Sequence, residues 1–159
     1  MKVKDVVLVV LIIAGVAVIC TTLSCGRTGS GATVELADLG FSMRLPANWR
    51  VDEASSGRAV FSAPSIEDSI GSVFYFPLEG KTLGEYVQAY SPRTEERVPT
   101  TISGLEAIQV LEKGEARTCL TAYIRKENDV FVVTLGTLPA DFPSHEGSLR
   151  QALRSITLK

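Results

Sequence analysis

The stretch ARTCLTAYIRKENDVFVVTL, residues 116–135, decides the fold that we predict for this chain. In its first half, Leu120, Ala122 and Ile124 fall on one face of a strand, because successive side chains of a strand point to opposite faces. The Glu-Asn-Asp sequence that follows contains turn residues and predicts a hairpin. From Val130 onward the returning strand is apolar on both faces, which indicates burial from two sides.

Strand patterns continue on the N-terminal side of this hairpin. A second segment that is apolar on both faces, residues 72–76, supports a sheet covered on both sides. The Ser103-Gly104 pair predicts a turn between two further strands. The other predicted strands or extended segments are residues 41–45, 49–51, 58–61, 98–102 and 105–112. Residues 52–57 are polar, and we predict a loop there.

Two helices are predicted in addition to the strands. Thr82 and Glu85 have the spacing of a capping box, in which each residue satisfies free amides of the first helical turn. Tyr86 and Tyr90 continue an apolar stripe along this helix, and they either face the core or line a ligand site. Ser144 can cap a second helix that runs to about residue 154. We therefore predict an α+β fold: an antiparallel β-sheet of about six strands with helices, preceded by an N-terminal apolar helix.

Several segments in this order resemble the PsbP-like fold family, which includes bacterial lipoproteins. The segments are GFSMRLPANW (40–49), LGEYVQAY (83–90), ISG (102–104), YIRKENDVFVVT (123–134) and LRQALRSI (149–156). Phe41, Pro46 and Trp49 match fold elements of the family. The resemblance implies an α/β/α sandwich, with the antiparallel sheet covered by helices on both faces. It also implies a binding or assembly accessory and not an enzyme.

The N-terminus has the order of an export signal. Lys2 and Lys4 precede an apolar run, residues 6–20, and the residues that follow it, 21–24, are small or mildly polar apart from Leu23. The whole uncharged stretch spans residues 6–24. Leu23-Ser-Cys25-Gly resembles the bacterial lipobox, although Thr22 occupies the position where that pattern prefers leucine. Three outcomes stay open: lipid attachment at Cys25, retention of the run as a transmembrane helix, or cleavage with release. Each of them places the rest of the chain outside the cytoplasm, and the first two hold it at the cell membrane.

The predicted organisation has three parts. Residues 1–25 form the signal or membrane-anchoring segment, residues 26–38 form a flexible tether that begins with glycine and serine, and residues 39–159 form one α+β domain. The whole chain carries a formal charge of −2. The leader contains two lysines and one aspartate and so contributes a charge of +1, which leaves the rest of the chain with a formal charge of −3. An acidic domain of this kind does not fit a nucleic-acid partner, which rewards clustered lysine and arginine.

Few residues of the predicted domain belong to a catalytic or metal-binding pattern. Cys119 is its only cysteine, so no disulfide framework is expected; the residue is a small strand residue or a reactive thiol. His145 is the only histidine of the chain. It lies on the surface, or it serves a hydrolase or metal site together with Asp141 or Glu146. We predict no catalytic residue, no metal and no cofactor.

These patterns favour one function among three. We expect a membrane-tethered, extracytoplasmic lipoprotein that acts as a non-catalytic binding or assembly accessory for a protein partner in the cell envelope. One alternative is a small-ligand carrier, and the other is a hydrolase or metal-dependent enzyme that uses His145. Trp49, the only tryptophan of the chain, is either a core aromatic or a ligand-stacking residue. The candidate ligand-contact residues are therefore Trp49, Tyr86 and Tyr90, because cavity-lining aromatic side chains commonly carry binding energy.

Overall fold

The computed structural model describes residues 31–92, 94 and 96–159. The predicted leader, the lipidation site at Cys25 and the first residues of the tether lie outside this range. Within it, none of the helices combines the length and the apolar character that crossing a bilayer requires.

The described residues form ten strands and two α-helices. The strands are β1 Thr33–Leu36, β2 Phe41–Arg44, β3 Arg50–Ser55, β4 Arg58–Ser62, β5 Ile70–Pro77, β6 Glu96–Ile102, β7 Leu105–Lys113, β8 Thr118–Lys126, β9 Asp129–Thr137 and β10 Thr157–Leu158. The helices are α1 Leu83–Tyr90 and α2 Phe142–Arg154, and a short 3-10 turn covers Ala37–Leu39.

Seven strands build one large antiparallel sheet in the order β3-β4-β5-β9-β8-β7-β6, and β1, β2 and β10 build a small one. A large antiparallel sheet with two helices agrees with the predicted α+β class. The seventh strand of the large sheet is β3, most of which we predicted as a loop. All six of its residues are exposed at the sheet edge, so no alternation of buried and polar residues marks it in the sequence.

The folded part also begins earlier than the predicted tether boundary at residue 38. Thr33–Leu36 pairs with β2 in antiparallel register, Val34 lying opposite Met43. Val34 and Leu36 are buried in the main core cluster. Burial of these two apolar side chains, together with the pairing to β2, stabilises the four-residue strand against the domain.

The large sheet carries a buried cluster on each of two faces. Ala122 and Ile124 of β8 belong to the main core, together with Leu149 and Leu153 of α2. Tyr123, between them, belongs to a second cluster with Leu83, Tyr86 and Val87 of α1. Successive strand residues point to opposite faces, so the two clusters lie on opposite sides of the sheet. The short helix α1 leaves Phe76 of its own side 42% exposed.

Helix α2 begins three residues before the predicted start. Asp141 occupies the N-cap position without a side-chain cap, and Pro143 lies in the first turn. Ser144, the predicted cap, instead donates a hydrogen bond from its hydroxyl to the Asp141 carbonyl at 2.7 Å. Proline is favoured in a first helical turn because its missing N–H would have no partner there.

Candidate functional site

Helix α1 places two tyrosines one above the other. Its start is the predicted capping box: the Glu85 amide donates to the Thr82 hydroxyl at 3.2 Å, and the Thr82 amide donates to the Glu85 carboxylate at 2.8 Å. Residues four positions apart share a helix face. Tyr86 and Tyr90 therefore stack, with ring centroids 4.4 Å apart and ring planes inclined by 30°.

The sheet supplies the opposite wall. Tyr123 of β8 lies directly across from Val132 of β9, which in turn lies across from Phe74 of β5. The Tyr123 ring meets Tyr86 edge to face at 6.2 Å between centroids. Phe76, two residues beyond Phe74 on the same side, stacks on it at 5.9 Å. Aromatic groups from one helix and two strands thus converge on one place.

Between these walls lies a cleft of about 370 Å³. Four aromatic side chains line it: Phe76, Tyr86, Tyr90 and Tyr123. The remaining lining residues are Pro77, Glu79 and Val132. Tyr86 and Tyr123 are almost fully buried and form the floor, whereas Phe76 and Tyr90 (61% exposed) form the rim. We call this feature the aromatic cleft.

The hydroxyl groups of the floor stay neutral. Burial raises the pKa of Tyr86, and Tyr90, Tyr123 and Glu79 add to the effect. Burial also raises the pKa of Tyr123.

Hydrogen bonds position the floor. The Tyr123 hydroxyl shares a 2.7 Å hydrogen bond with the Ser91 hydroxyl, and the Arg97 guanidinium donates to the Ser91 carbonyl at 2.7 Å, at the end of α1. The floor is therefore positioned by packing and by hydrogen bonds before any ligand enters.

Glu79 is the one charged side chain among the residues that line the aromatic cleft. Its carboxylate lies 3.1 Å from the Lys81 ammonium, and both side chains are exposed. Pro77 and Glu79 also border a neighbouring cleft of about 400 Å³ that includes Arg125 and Asp129. The apolar cleft thus opens at one end toward a polar surface.

The structure brings two of the three predicted ligand-contact residues together. Tyr86 and Tyr90 line the aromatic cleft, but Trp49 does not. Trp49 is only 4% exposed and packs in the main core against Phe61, with ring centroids 6.1 Å apart. That core lies on the other face of the sheet, so Trp49 has no surface to offer a ligand in the cleft.

Five of the seven lining residues are not among the predicted ones, and two of these five, Tyr123 and Phe76, are aromatic. Tyr123 was available from strand alternation, which places it opposite Ala122 and Ile124, but it was not connected to the helix tyrosines. Phe76 comes next to them only because β5 pairs with β9 and β9 with β8. That strand order involves contacts between residues far apart in the chain, and no local pattern predicts it.

The remaining candidates lie elsewhere. Cys119 is half-buried on β8, and burial raises the pKa of its thiol, with Glu112 adding to the effect. His145 is partly exposed on α2. Within the described residues, no group of three or more histidine, cysteine, aspartate or glutamate side chains is placed to hold a metal ion. The aromatic cleft itself offers ring faces, phenol hydroxyls and one carboxylate, a set of groups suited to binding.

No protein-family model and none of the curated proteins matches the chain. Solved structures do. Cyanobacterial PsbP (CyanoP) from Synechocystis sp. PCC 6803 superposes with a TM-score of 0.59 at 16% identity, covering 86% of this chain and 98% of that one. PA94 from Pseudomonas aeruginosa, a protein of unknown function described as a putative regulator, superposes with a TM-score of 0.56 at 17% identity. The match covers 82% of this chain and 99% of PA94. A structure from Bacteroides thetaiotaomicron superposes with a TM-score of 0.55 at 12% identity, and the match covers 81% of this chain and 48% of that one. The chain therefore has the PsbP-like fold, as the sequence motifs indicated, and at these identities the likeness concerns the fold alone.

Proposed function

We propose that this chain is a membrane-tethered, extracytoplasmic accessory module that binds or helps to assemble a protein of the cell envelope without catalysing a reaction. The observation that carries the proposal is the aromatic cleft with its exposed rim. Phe76 is 42% and Tyr90 is 61% exposed. Large aromatic side chains that stay in water next to a preformed apolar floor are typical of binding surfaces.

The construction of the aromatic cleft favours binding energetically. Tyr86 and Tyr123 are already packed and, in the case of Tyr123, hydrogen-bonded, so a ligand does not have to order them. A rim tyrosine has few rotatable bonds and loses little entropy when it is covered. Such preorganised aromatic clusters commonly act as the energetic centre of an interface.

The location rests on the leader. Lys2, Lys4 and the uncharged run of residues 6–24 have the order of an export segment, and Cys25 occupies the lipobox-like position. A lipid at Cys25 is the anchor that we favour, and a single retained helix is the alternative. In both cases the domain faces away from the cytoplasm.

The non-catalytic part of the proposal rests on the chemistry of the aromatic cleft. Glu79 has no histidine, cysteine or serine beside it among the lining residues. Nucleophilic catalysis commonly uses a nucleophile with a base within hydrogen-bond reach, and the lining residues supply no serine, cysteine or histidine for such a pair. The phenol groups of the floor are held neutral and are better suited to donating hydrogen bonds than to accepting protons.

Site-specific photo-crosslinking in cells tests the proposal. A benzoylphenylalanine in place of Tyr90 puts the reactive group on the cleft rim. The matched control replaces Val51, which is 36% exposed on the edge strand β3. We expect a discrete envelope-protein adduct from position 90 and none from position 51. No adduct at position 90, or the same adducts at both positions, would contradict the proposal.

The volume of the aromatic cleft favours a second function, that of a small-ligand carrier. About 370 Å³ lies within the range of roughly 300–1,000 Å³ found for small-molecule sites. Native mass spectrometry of the chain extracted from its membrane tests this alternative. A stoichiometric small-molecule adduct that disappears in Tyr90→Ala would favour the carrier over the accessory.

A further inference from the structure

We propose that the aromatic cleft receives the guanidinium group of an arginine side chain from the protein partner. This inference rests on the proposed function, because it takes the cleft as the docking surface. The proposed function names a protein partner, and this inference adds which chemical group of that partner enters the cleft.

The charges of the aromatic cleft are complementary to a cation. The faces of its four aromatic rings carry the negative part of the ring quadrupole and attract positive charge. Glu79 adds a carboxylate, and none of the seven lining residues is basic. The chain as a whole carries −2, which favours the approach of a basic partner.

Lys81 does not block this site. Its ammonium lies 3.1 Å from the Glu79 carboxylate, but the two side chains are 39% and 66% exposed. Exposed pairs of this kind contribute little, so an incoming cation exchanges with Lys81 at low cost. Lys81 itself is not among the residues that line the aromatic cleft.

The geometry favours a planar cation over a compact one. Tyr90 stacks on Tyr86 at 4.4 Å through one ring face and is nevertheless 61% exposed, so much of its ring is free for a further stacking partner. A guanidinium stacks on aromatic faces, gives up its hydration more easily than an ammonium, and can donate two hydrogen bonds to one carboxylate. Tyr90 supplies the ring and Glu79 supplies the carboxylate.

Nuclear magnetic resonance of the full-length chain in detergent micelles tests the inference, with carbon-13 in the tyrosine rings. The probes are N-acetyl-argininamide and its citrulline analogue, which has nearly the same shape without the charge. We expect saturable shifts of Tyr86, Tyr90 and Tyr123, and binding of the arginine probe about five-fold tighter than of the citrulline probe. Tyr75, the fourth tyrosine of the chain, lies outside the aromatic cleft and serves as the internal control.

Two variants locate the interaction. Tyr90→Ala and Glu79→Gln should each weaken the arginine probe about five-fold, whereas Glu67→Gln, an exposed carboxylate outside the cleft, should leave its affinity unchanged. Equal affinity for arginine and citrulline would overturn the inference. So would tighter binding of N-acetyl-lysinamide, tetramethylammonium or a tetraproline peptide, since each would assign the cleft to a different group.

The two proposals fail separately. If position 90 crosslinks to an envelope protein and the arginine probe does not bind, the accessory function stands and the inference is wrong. If the arginine probe binds and no envelope adduct forms, the chemistry of the aromatic cleft stands and the proposed partner class is wrong.

Discussion

Gly71 occupies the tightest position in the main core. It lies on β5 opposite Phe61 of β4, and a Cβ atom added to it would lie 2.0 Å from Cδ2 and Cε2 of the Phe61 ring and 2.9 Å from Cζ3 of Trp49. Both rings are held by the packed core around them. We expect Gly71→Ala to lower the free energy of unfolding by about 1–3 kcal/mol because one of these rings must move. Urea unfolding followed by circular dichroism measures the loss.

The matched control is Gly84→Ala. Gly84 lies in the first turn of α1, and nothing lies within 4 Å of an added Cβ. Alanine restricts the unfolded chain, so this variant should be about 0.5 kcal/mol more stable than the wild type. Equal effects of the two substitutions would show that crowding at Gly71 is not the cause.

Tyr75 gives the stability of the domain an alkaline pH dependence. Its hydroxyl donates to the Asp129 carboxylate at 2.5 Å, and this bond, with a contribution from burial, raises the pKa of Tyr75 from 10.0 to about 12. The native state therefore holds the proton more tightly than the unfolded chain does. The resulting stabilisation is complete below pH 10 and is lost as the pH rises toward 12.

We expect the urea midpoint of the wild type to fall between pH 10 and pH 12 more steeply than that of Tyr75→Phe. Phenylalanine keeps the contact with Phe131, whose ring centroid lies 4.8 Å away, and removes the titrating group. Parallel midpoint curves for the two proteins over this pH range would show that the Asp129 hydrogen bond does not perturb Tyr75.

Single residues differ in how far the sequence predicts their surroundings. The spacing of Tyr86 and Tyr90 on a capped helix places them side by side, and the structure agrees. For Trp49, no periodic pattern in the sequence distinguishes a buried ring from a ligand-stacking one. The Trp49 ring packs close to Gly71, and the position of Gly71 beside it depends on the pairing of β4 with β5. Contacts across the sheet decide such cases.

Among the elements, α1 depends most on its first turn. The eight-residue helix is short, and short helices are marginal without caps or packing. Thr82→Ala removes the hydroxyl that accepts the Glu85 amide hydrogen bond. We expect a loss of about 1 kcal/mol in the free energy of unfolding, measured by urea denaturation.

Ser144→Ala is the control for this prediction. The sequence assigns Ser144 the same capping role for α2, but its hydroxyl donates to a carbonyl and caps no amide. Its replacement should change the free energy of unfolding by no more than about 0.5 kcal/mol. If Ser144→Ala lowered the free energy of unfolding more than Thr82→Ala does, Ser144 would be a cap as its position in the sequence predicts, and the observed hydrogen bonds would not account for the capping of α2.

The elements that the sequence misses share one physical property. Both β1 and β3 are held by pairing along a sheet edge, and neither has the long alternating pattern of β8. In β3 every side chain is exposed, so backbone hydrogen bonds to β4 define the strand. β1 does bury Val34 and Leu36, but a strand of four residues is too short for its alternation to stand out in the sequence. A hydrophobic pattern marks buried strands and gives no signal for an exposed strand such as β3.

At the scale of the whole molecule, the fold separates the main core from the proposed binding surface. The main core lies on one face of the large sheet, under α2 and the small sheet, and contains Trp49. The aromatic cleft lies on the other face, where the shorter α1 leaves aromatic side chains in contact with solvent. Substitutions at the rim, such as Tyr90→Ala, can therefore change binding without opening the main core.

The proposed anchor is the property of the whole molecule that would decide where this cleft operates. Cys20 lies in the uncharged run and Cys25 at the lipobox-like position, so the two cysteines form a matched pair. If a lipid holds the domain, we expect Cys25→Ser to abolish metabolic labelling with a fatty acid, and the intact mass of this variant should show that the leader is still attached. Cys20→Ser should keep the fatty-acid label, and its intact mass should show that the leader has been removed. Unlabelled wild-type protein that retains Met1 would identify the run as a transmembrane helix instead. The cleft would then stay close to the membrane through protein alone, because residues 26–32 are all that separates the anchor from β1.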